Sequence, residues 1–249
     1  MPYIHLNELK THYLELNPSG KKTIIMIHGF TGNLAQYYFT IAPKLALSFR
    51  VILYDIRGHG KTDMPATNYK VSDFSNDLLL LMFALNIEKA HIVSYSFGGL
   101  IALHFALKHP EKIYKLGIIE CPNPIGSSSE TAEELITALD NHIAQSPENK
   151  LTNRFRERNV KLMNNTTATK DIDLDKGISN ELLEQLPIPM LIAYGSNSEC
   201  LDMADRLISH VKNVMLKKID GDHYLINDTE KMNLIFLELS KFFSEPIYA

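Results

Sequence analysis

His91-Ile-Val-Ser94-Tyr-Ser96-Phe-Gly98-Gly-Leu-Ile-Ala102 decides the fold. An apolar, β-branched run ends at Ser94, and a helical pattern begins near Phe97. Ser96 therefore sits on a tight turn between a strand and a helix. A turn that tight pushes its central side chain out beyond the sheet edge and tolerates only small neighbours. Ser94, two residues before, and Gly98, two after, meet that demand. The segment matches the G-x-S-x-G pattern that presents a serine nucleophile, with Ser94 in place of the first glycine. Without this context Ser96 would be an ordinary helix N-cap.

Working outward, further apolar runs at Thr23–Ile27, Val51–Tyr54, Leu116–Ile119, Met190–Tyr194 and Val214–Ile219 predict strands buried on both faces, as in a parallel sheet. Alternating stretches at Tyr3–Leu6 and His12–Leu16 predict an antiparallel hairpin. Helical patterns at Gln36–Leu47, Val71–Leu85, Phe97–His109, Ala204–Val211 and Glu230–Phe243 lie between or after them. Strand alternating with helix predicts an α/β protein with a mostly parallel, doubly wound sheet. Between Pro122 and Leu186 the alternation stops. Ser129–Ala144 and Leu151–Met163 have helical patterns, and Asn164–Lys170 reads as a polar loop. Residues 122–186 are thus expected to form a helical cap inserted into a core made of 1–121 and 187–249, lying over the strand ends where such sheets bind ligands.

Composition narrows the function. The chain has 249 residues, 45% of them hydrophobic and 22% charged, with a formal net charge of −4. This is globular composition, and its mild acidity argues against nucleic-acid binding. The longest apolar run, Leu78–Leu85, is far short of the ~20 residues needed to span a bilayer. Cys121 and Cys200 are the two cysteines, too few for a disulfide framework and suited to a reducing compartment. The N-terminus lacks the apolar stretch of a signal peptide. A cytoplasmic protein acting on a small molecule is expected.

Two further motifs carry chemistry. His28-Gly29-Phe30-Thr31-Gly32-Asn33 follows the first buried strand, and its glycines let backbone amides turn inward. The Phe30 amide, with the Phe97 amide at a helix N-terminus, can face a developing oxyanion. His28 reads as a structural hydrogen-bonding group. Ile219-Asp220-Gly221-Asp222-His223 follows the last strand and places His223 where a base can reach a serine on another strand's exit. Gly60-Lys61-Thr62 mimics the end of a phosphate loop, but position 55 is Asp where that loop needs glycine. The ten histidines show no close Cys/His spacing, so neither metal nor organic cofactor is expected.

Taken with Asp55-Ile-Arg-Gly-His-Gly-Lys-Thr62 and His109-Pro-Glu111, these landmarks resemble the α/β-hydrolase fold family in order and spacing along nearly the whole chain. The resemblance implies a serine hydrolase acting on a small or medium acyl ester or thioester. Ser96 would be nucleophile and His223 base, with the Phe30 and Phe97 amides as oxyanion donors. Carbon–carbon hydrolysis, lyase or cofactor-free oxygenase chemistry, and ligand binding without catalysis use the same frame. The family's usual acid position, shortly after Gly195, is occupied by Ser198. Glu199 follows directly and Asp202 stands further on. Glu120, ending the strand before the cap, is the preferred acid because a strand end is better fixed than a loop; certain haloalkane dehalogenases place an acid there.

Overall fold

Every residue of β3 (Thr23–Ile27) is buried, and its alternate side chains feed two different cores. Ile25 and Ile27 face one side of the sheet, Ile24 and Met26 the other. That is the period-2 geometry of a strand covered on both faces. The structure, a computed structural model, describes residues 2–124 and 150–246.

The sheet has eight strands in the order β1-β2-β4-β3-β5-β6-β7-β8. β1 (Tyr3–Leu6) and β2 (Leu9–Leu16) form the antiparallel hairpin, and β2 runs antiparallel to β4 (Arg50–Tyr54). The remaining pairs are parallel, through β5 (Ala90–Tyr95), β6 (Ile113–Ile119), β7 (Met190–Gly195) and β8 (Val214–Ile219). All parallel strands therefore end at one edge of the sheet.

Helices cover both faces. α1 (Ala35–Tyr38) and α2 (Ala42–Leu45) pack on the Ile24 face. α3 (Val71–Ala84) and α4 (Phe97–Lys108) pack on the Ile25 face. The single helix expected over Gln36–Leu47 is instead these two short ones. Pro43 lacks an N–H and its ring would clash with the carbonyl at position 39, so it enters only as a first-turn residue of α2.

Between β6 and β7 the described residues form α5 (Lys150–Asn165), α6 (Ala168–Asp173) and α7 (Asn180–Leu183). The expected polar loop at Asn164–Lys170 is corrected: α5 runs into it and α6 begins within it. Ala168 and Ile172 bury one side of that turn, and Asp171 accepts hydrogen bonds from the Thr167 hydroxyl and the Tyr69 amide. The helical pattern at Ser129–Ala144 lies outside the described residues. α5 rests on the loop after β4, where Leu162 packs against Gly58 and Arg158 donates to the Thr62 carbonyl. α8 (Leu201–His210) and α9 (Thr229–Ser244) complete the two layers on opposite faces. Among the described residues no helix is long and apolar enough to cross a membrane.

Two buried histidines tie stability to pH. His91, stacked on Phe243 at 4.5 Å, has no hydrogen-bond partner at either ring nitrogen among the described residues. Burial, reinforced by Lys22 and Lys115, lowers its pKa from 6.5 to about 3. Burial also drives His59 to about 3. Both are neutral in the folded protein and free to protonate when unfolded. Their contribution is intact above the unfolded value and is lost as pH falls from ~6.5 towards the folded value, by roughly 1.4 kcal/mol per pH unit for each group. His91→Phe should flatten the decline in urea midpoint between pH 7 and pH 4.5. An unchanged slope would show that His91 is not held neutral.

Candidate active site

β5 ends at Tyr95 and α4 begins at Phe97, leaving Ser96 alone between them. Its backbone has φ 51° and ψ −126°, a sparsely populated conformation that costs about 1–3 kcal/mol in a non-glycine residue. Hydrogen bonds hold it there. The Ser96 amide donates to the Ile119 carbonyl at 2.9 Å, and the Gly99 amide donates to the Ser96 carbonyl at 2.7 Å. α4 approaches β3 so closely that a Cβ on Gly98 would lie 2.5 Å from the Ile27 carbonyl oxygen. Ser94 is fully buried, so its small side chain is accommodated where the pattern has glycine. The Ser96 side chain is half-buried at the sheet edge.

His223 opens a short 3₁₀ turn, His223–Asn227, after β8. The Asp222 carboxylate caps this turn by accepting from the Tyr224 amide, and the Tyr95 hydroxyl donates to the His223 carbonyl at 3.0 Å. Gly195 lets the end of β7 press against this loop, since a Cβ there would meet the Gly221 carbonyl oxygen at 2.4 Å. These contacts aim the imidazole. Its Nε2 lies 3.1 Å from Ser96 Oγ, and its Nδ1 lies 3.3 Å from Glu120 Oε2.

Glu120 follows the last residue of β6 and takes a positive φ of 55°. Its amide donates to the Ala193 carbonyl on β7 at 2.9 Å. The side chain is wholly buried, where an unpaired carboxylate would be costly. It is instead well supplied with donors. The Gly195 amide donates to Oε1 and the Ser198 hydroxyl to Oε2. Ser198 Oγ accepts in turn from the Cys200 amide at 3.1 Å. Glu199 and Asp202 are exposed, and neither bonds to His223. Sequence reading missed Ser198 as a partner of the carboxylate, as well as Tyr95 and Cys200. The signal for Ser198 was present, a polar residue standing where a carboxylate was expected, but it donates where the carboxylate would have accepted.

Phe30 and Phe97 meet edge to face with ring centroids 5.4 Å apart. Among the described residues no acceptor takes a hydrogen bond from either amide. His28 is structural, as expected: its Nδ1 donates to the Gly29 carbonyl and its Nε2 accepts from the Ile56 amide. Burial lowers its pKa and keeps it neutral. The Ile56 loop is fixed by Asp55, which accepts from His12 Nδ1 and from the Leu34 and Lys61 amides. Burial works against the Asp55 charge, but His12 and these amides hold its pKa below the ordinary value. A shallow cleft beside Phe97 is lined by the apolar side chains of Leu100, Val71, Ile172 and Ile178 together with His104 and Asp175.

Comparison with known proteins bears on the fold. Residues 22–161 match the profile of the α/β hydrolase fold. Epoxide hydrolase 1 of Caenorhabditis elegans is 24% identical over 280 aligned positions, covering 92% of this chain and 67% of that protein. The 2-hydroxy-6-oxononadienedioate/2-hydroxy-6-oxononatrienedioate hydrolase of Comamonas testosteroni is 36% identical over 137 positions, covering 52% of this chain and 48% of that protein. Matches to human epoxide hydrolase 4 span only 34% of that protein, so the chain covers between a third and two thirds of these curated relatives. Among solved structures, a hydrolase from Pseudomonas aeruginosa superposes with a TM-score of 0.78 at 18% identity, over 98% of both chains. The enol-lactonase of Burkholderia xenovorans gives 0.76 at 19% identity, over 98% of this chain and all of that one.

The tight approach of α4 makes a stability prediction. Gly98→Ala places a methyl group against two backbone carbonyls that cannot rotate away. It should cost about 1–3 kcal/mol, the usual range for overpacking, read as a lowered urea midpoint at unchanged m-value. A midpoint equal to wild type would mean the strand–helix contact is looser than described.

Proposed function

The chain belongs to the α/β-hydrolase fold family, and on that premise we propose that it is a cofactor-independent serine hydrolase of small or medium acyl esters or thioesters. The observation that carries this reading is the line from Ser96 Oγ to His223 Nε2 at 3.1 Å and from His223 Nδ1 to Glu120 Oε2 at 3.3 Å. Ser96 attacks the carbonyl carbon while its proton passes to His223 Nε2. The imidazolium that forms is stabilised by Glu120, whose position on Nδ1 also selects the tautomer with Nε2 free to accept. The Phe30 and Phe97 amides receive the oxyanion, the second aided by the positive N-terminal end of α4. His223 protonates the leaving alcohol or thiol. It then takes a proton from water, and the resulting hydroxide equivalent cleaves the acyl-serine ester.

The nucleophile's identity separates this reading from the activity in some relatives' names. Serine opening an epoxide would leave an alkyl ether, which a histidine-activated water cannot hydrolyse. Attack on a carbonyl leaves an ester, which it can. We further propose that residues 122–186 act as a cap, with the apolar cleft beside Phe97 receiving a nonpolar acyl part. A second reading, hydrolysis of a carbon–carbon bond next to a ketone, uses the same serine, base and oxyanion donors. It is favoured by the 36% identity to the Comamonas hydrolase over 137 positions.

A panel of p-nitrophenyl esters, acyl thioesters and 2-hydroxy-6-oxo-dienoates distinguishes the two. The proposal expects ester or thioester turnover with kcat/KM above that on the dienoates; turnover of the dienoates alone would overturn it in favour of the second reading. Within the site, Ser96→Ala and His223→Ala should each lower kcat by about 10⁴-fold or more, because the members of such a unit fail together. Glu120→Gln should cost roughly 10²–10⁴-fold, since a neutral partner no longer stabilises imidazolium. Glu199→Gln and Asp202→Asn should stay near wild type. Loss in Glu199→Gln with a silent Glu120→Gln would move the acid to the loop.

A further inference from the structure

His223 Nδ1 faces two ligand atoms rather than one. Cys200 Sγ lies 3.3 Å from it, as does Glu120 Oε2. One donor atom from each of Glu120, Cys200 and His223 lies within 4.8 Å of the other two, and all three residues are buried. The acyl-transfer mechanism has no task for the Cys200 thiol. No spacing in the sequence announces the group, because its members come from the end of β6, the loop after β7 and the loop after β8.

The distances match a metal site. With Zn–S of about 2.3 Å and Zn–N and Zn–O of about 2.0–2.1 Å, a tetrahedron has S–N edges of about 3.5 Å and N–O edges of about 3.3 Å. Both separations at Nδ1 are 3.3 Å, and the third edge, from Cys200 Sγ to the Glu120 carboxylate, lies within 4.8 Å, so a bound cation draws the sulfur and the carboxylate together about a shared imidazole. Thiolate, imidazole and carboxylate together select a soft or borderline divalent cation over magnesium or calcium. Two anionic ligands balance its charge, and three protein ligands leave the fourth position for water.

We propose that Glu120, Cys200 and His223 form an inhibitory site for a thiophilic divalent cation such as Zn²⁺ or Cd²⁺. Binding exchanges the Cys200 thiol proton for the metal and releases that proton to solvent. It also occupies the Nδ1 lone pair, so the imidazole proton must sit on Nε2. Nε2–H then donates to Ser96 Oγ and can no longer accept its proton. The metal thus switches off the nucleophile without touching it, and a chelator restores it. The loss of activity rests on the serine-hydrolase reading; the binding itself does not.

The test titrates the intact protein with Cd²⁺ and follows thiolate-to-cadmium charge-transfer absorbance in the ultraviolet, with no substrate present. One equivalent should saturate the band in wild type and in Cys121→Ala, whose thiol packs against Gly99 and is held protonated by burial. The band should be absent in Cys200→Ala and strongly weakened in His223→Ala. In parallel, Zn²⁺ should inhibit ester turnover reversibly to EDTA. Cys200→Ala, compared with its own metal-free rate, should need over ~100-fold more zinc, since even outer-shell changes cost 10–100-fold in metal affinity. No band in wild type, or a band that persists in Cys200→Ala, overturns the site. A Cys200-dependent band in a protein that hydrolyses no ester upholds the site and defeats the functional reading instead.

Discussion

α4 can start only where its first turn rests on the carbonyl ends of β3, and that contact sets the geometry of everything at the sheet edge. Gly98 has no side chain, so the helix sits where a Cβ would be 2.5 Å from the Ile27 oxygen. One residue, Ser96, must then join strand to helix, and it does so at a φ of 51°. The same closeness brings the Phe97 ring against Phe30, so the start of α4 and the loop after β3 are in contact. The strain at Ser96 persists because the neighbouring strand overrides it, through the 2.9 Å bond from its amide to Ile119.

Ile119 ends β6, and the next residue is Glu120. The strand that supports the serine turn therefore also fixes the carboxylate. The loop after β7 supplies donors to this carboxylate. The Gly195 amide and the Ser198 hydroxyl both bind the carboxylate, which offsets the cost of burying it. A second consequence is the placement of Cys200. The Cys200 amide donates to Ser198, and this same turn brings its sulfur to the imidazole.

Much of this was legible in the sequence because it depends on local rules. Continuous β-branched runs such as Thr23–Ile27 mark strands covered on both faces, and Ser94-Tyr-Ser96-Phe-Gly98 encodes a turn through side-chain size alone. Long-range choices were less legible. Gln36–Leu47 has helical periodicity throughout, yet Pro43 divides it into two helices. Asn164–Lys170 is polar enough for a loop, but Ala168 and Ile172 found a buried surface to pack against. Chain order left Glu120, Glu199 and Asp202 open as acids, since all lie between Ser96 and His223. Burial separates them: Glu120 is enclosed and supplied with donors, while the other two face solvent. The cluster of Cys200 with His223 and Glu120 exists only after three distant loops converge.

The central claim is that His223 makes Ser96 a nucleophile. The most direct measurement is reaction of the folded protein with a fluorophosphonate probe, read by intact mass and by mapping the modified peptide. The account predicts a single adduct on Ser96, formed by wild type, absent in Ser96→Ala and strongly slowed in His223→Ala. An unmodified Ser96 in active-folded wild type, or equal labelling of the Ser96→Ala protein, would contradict it.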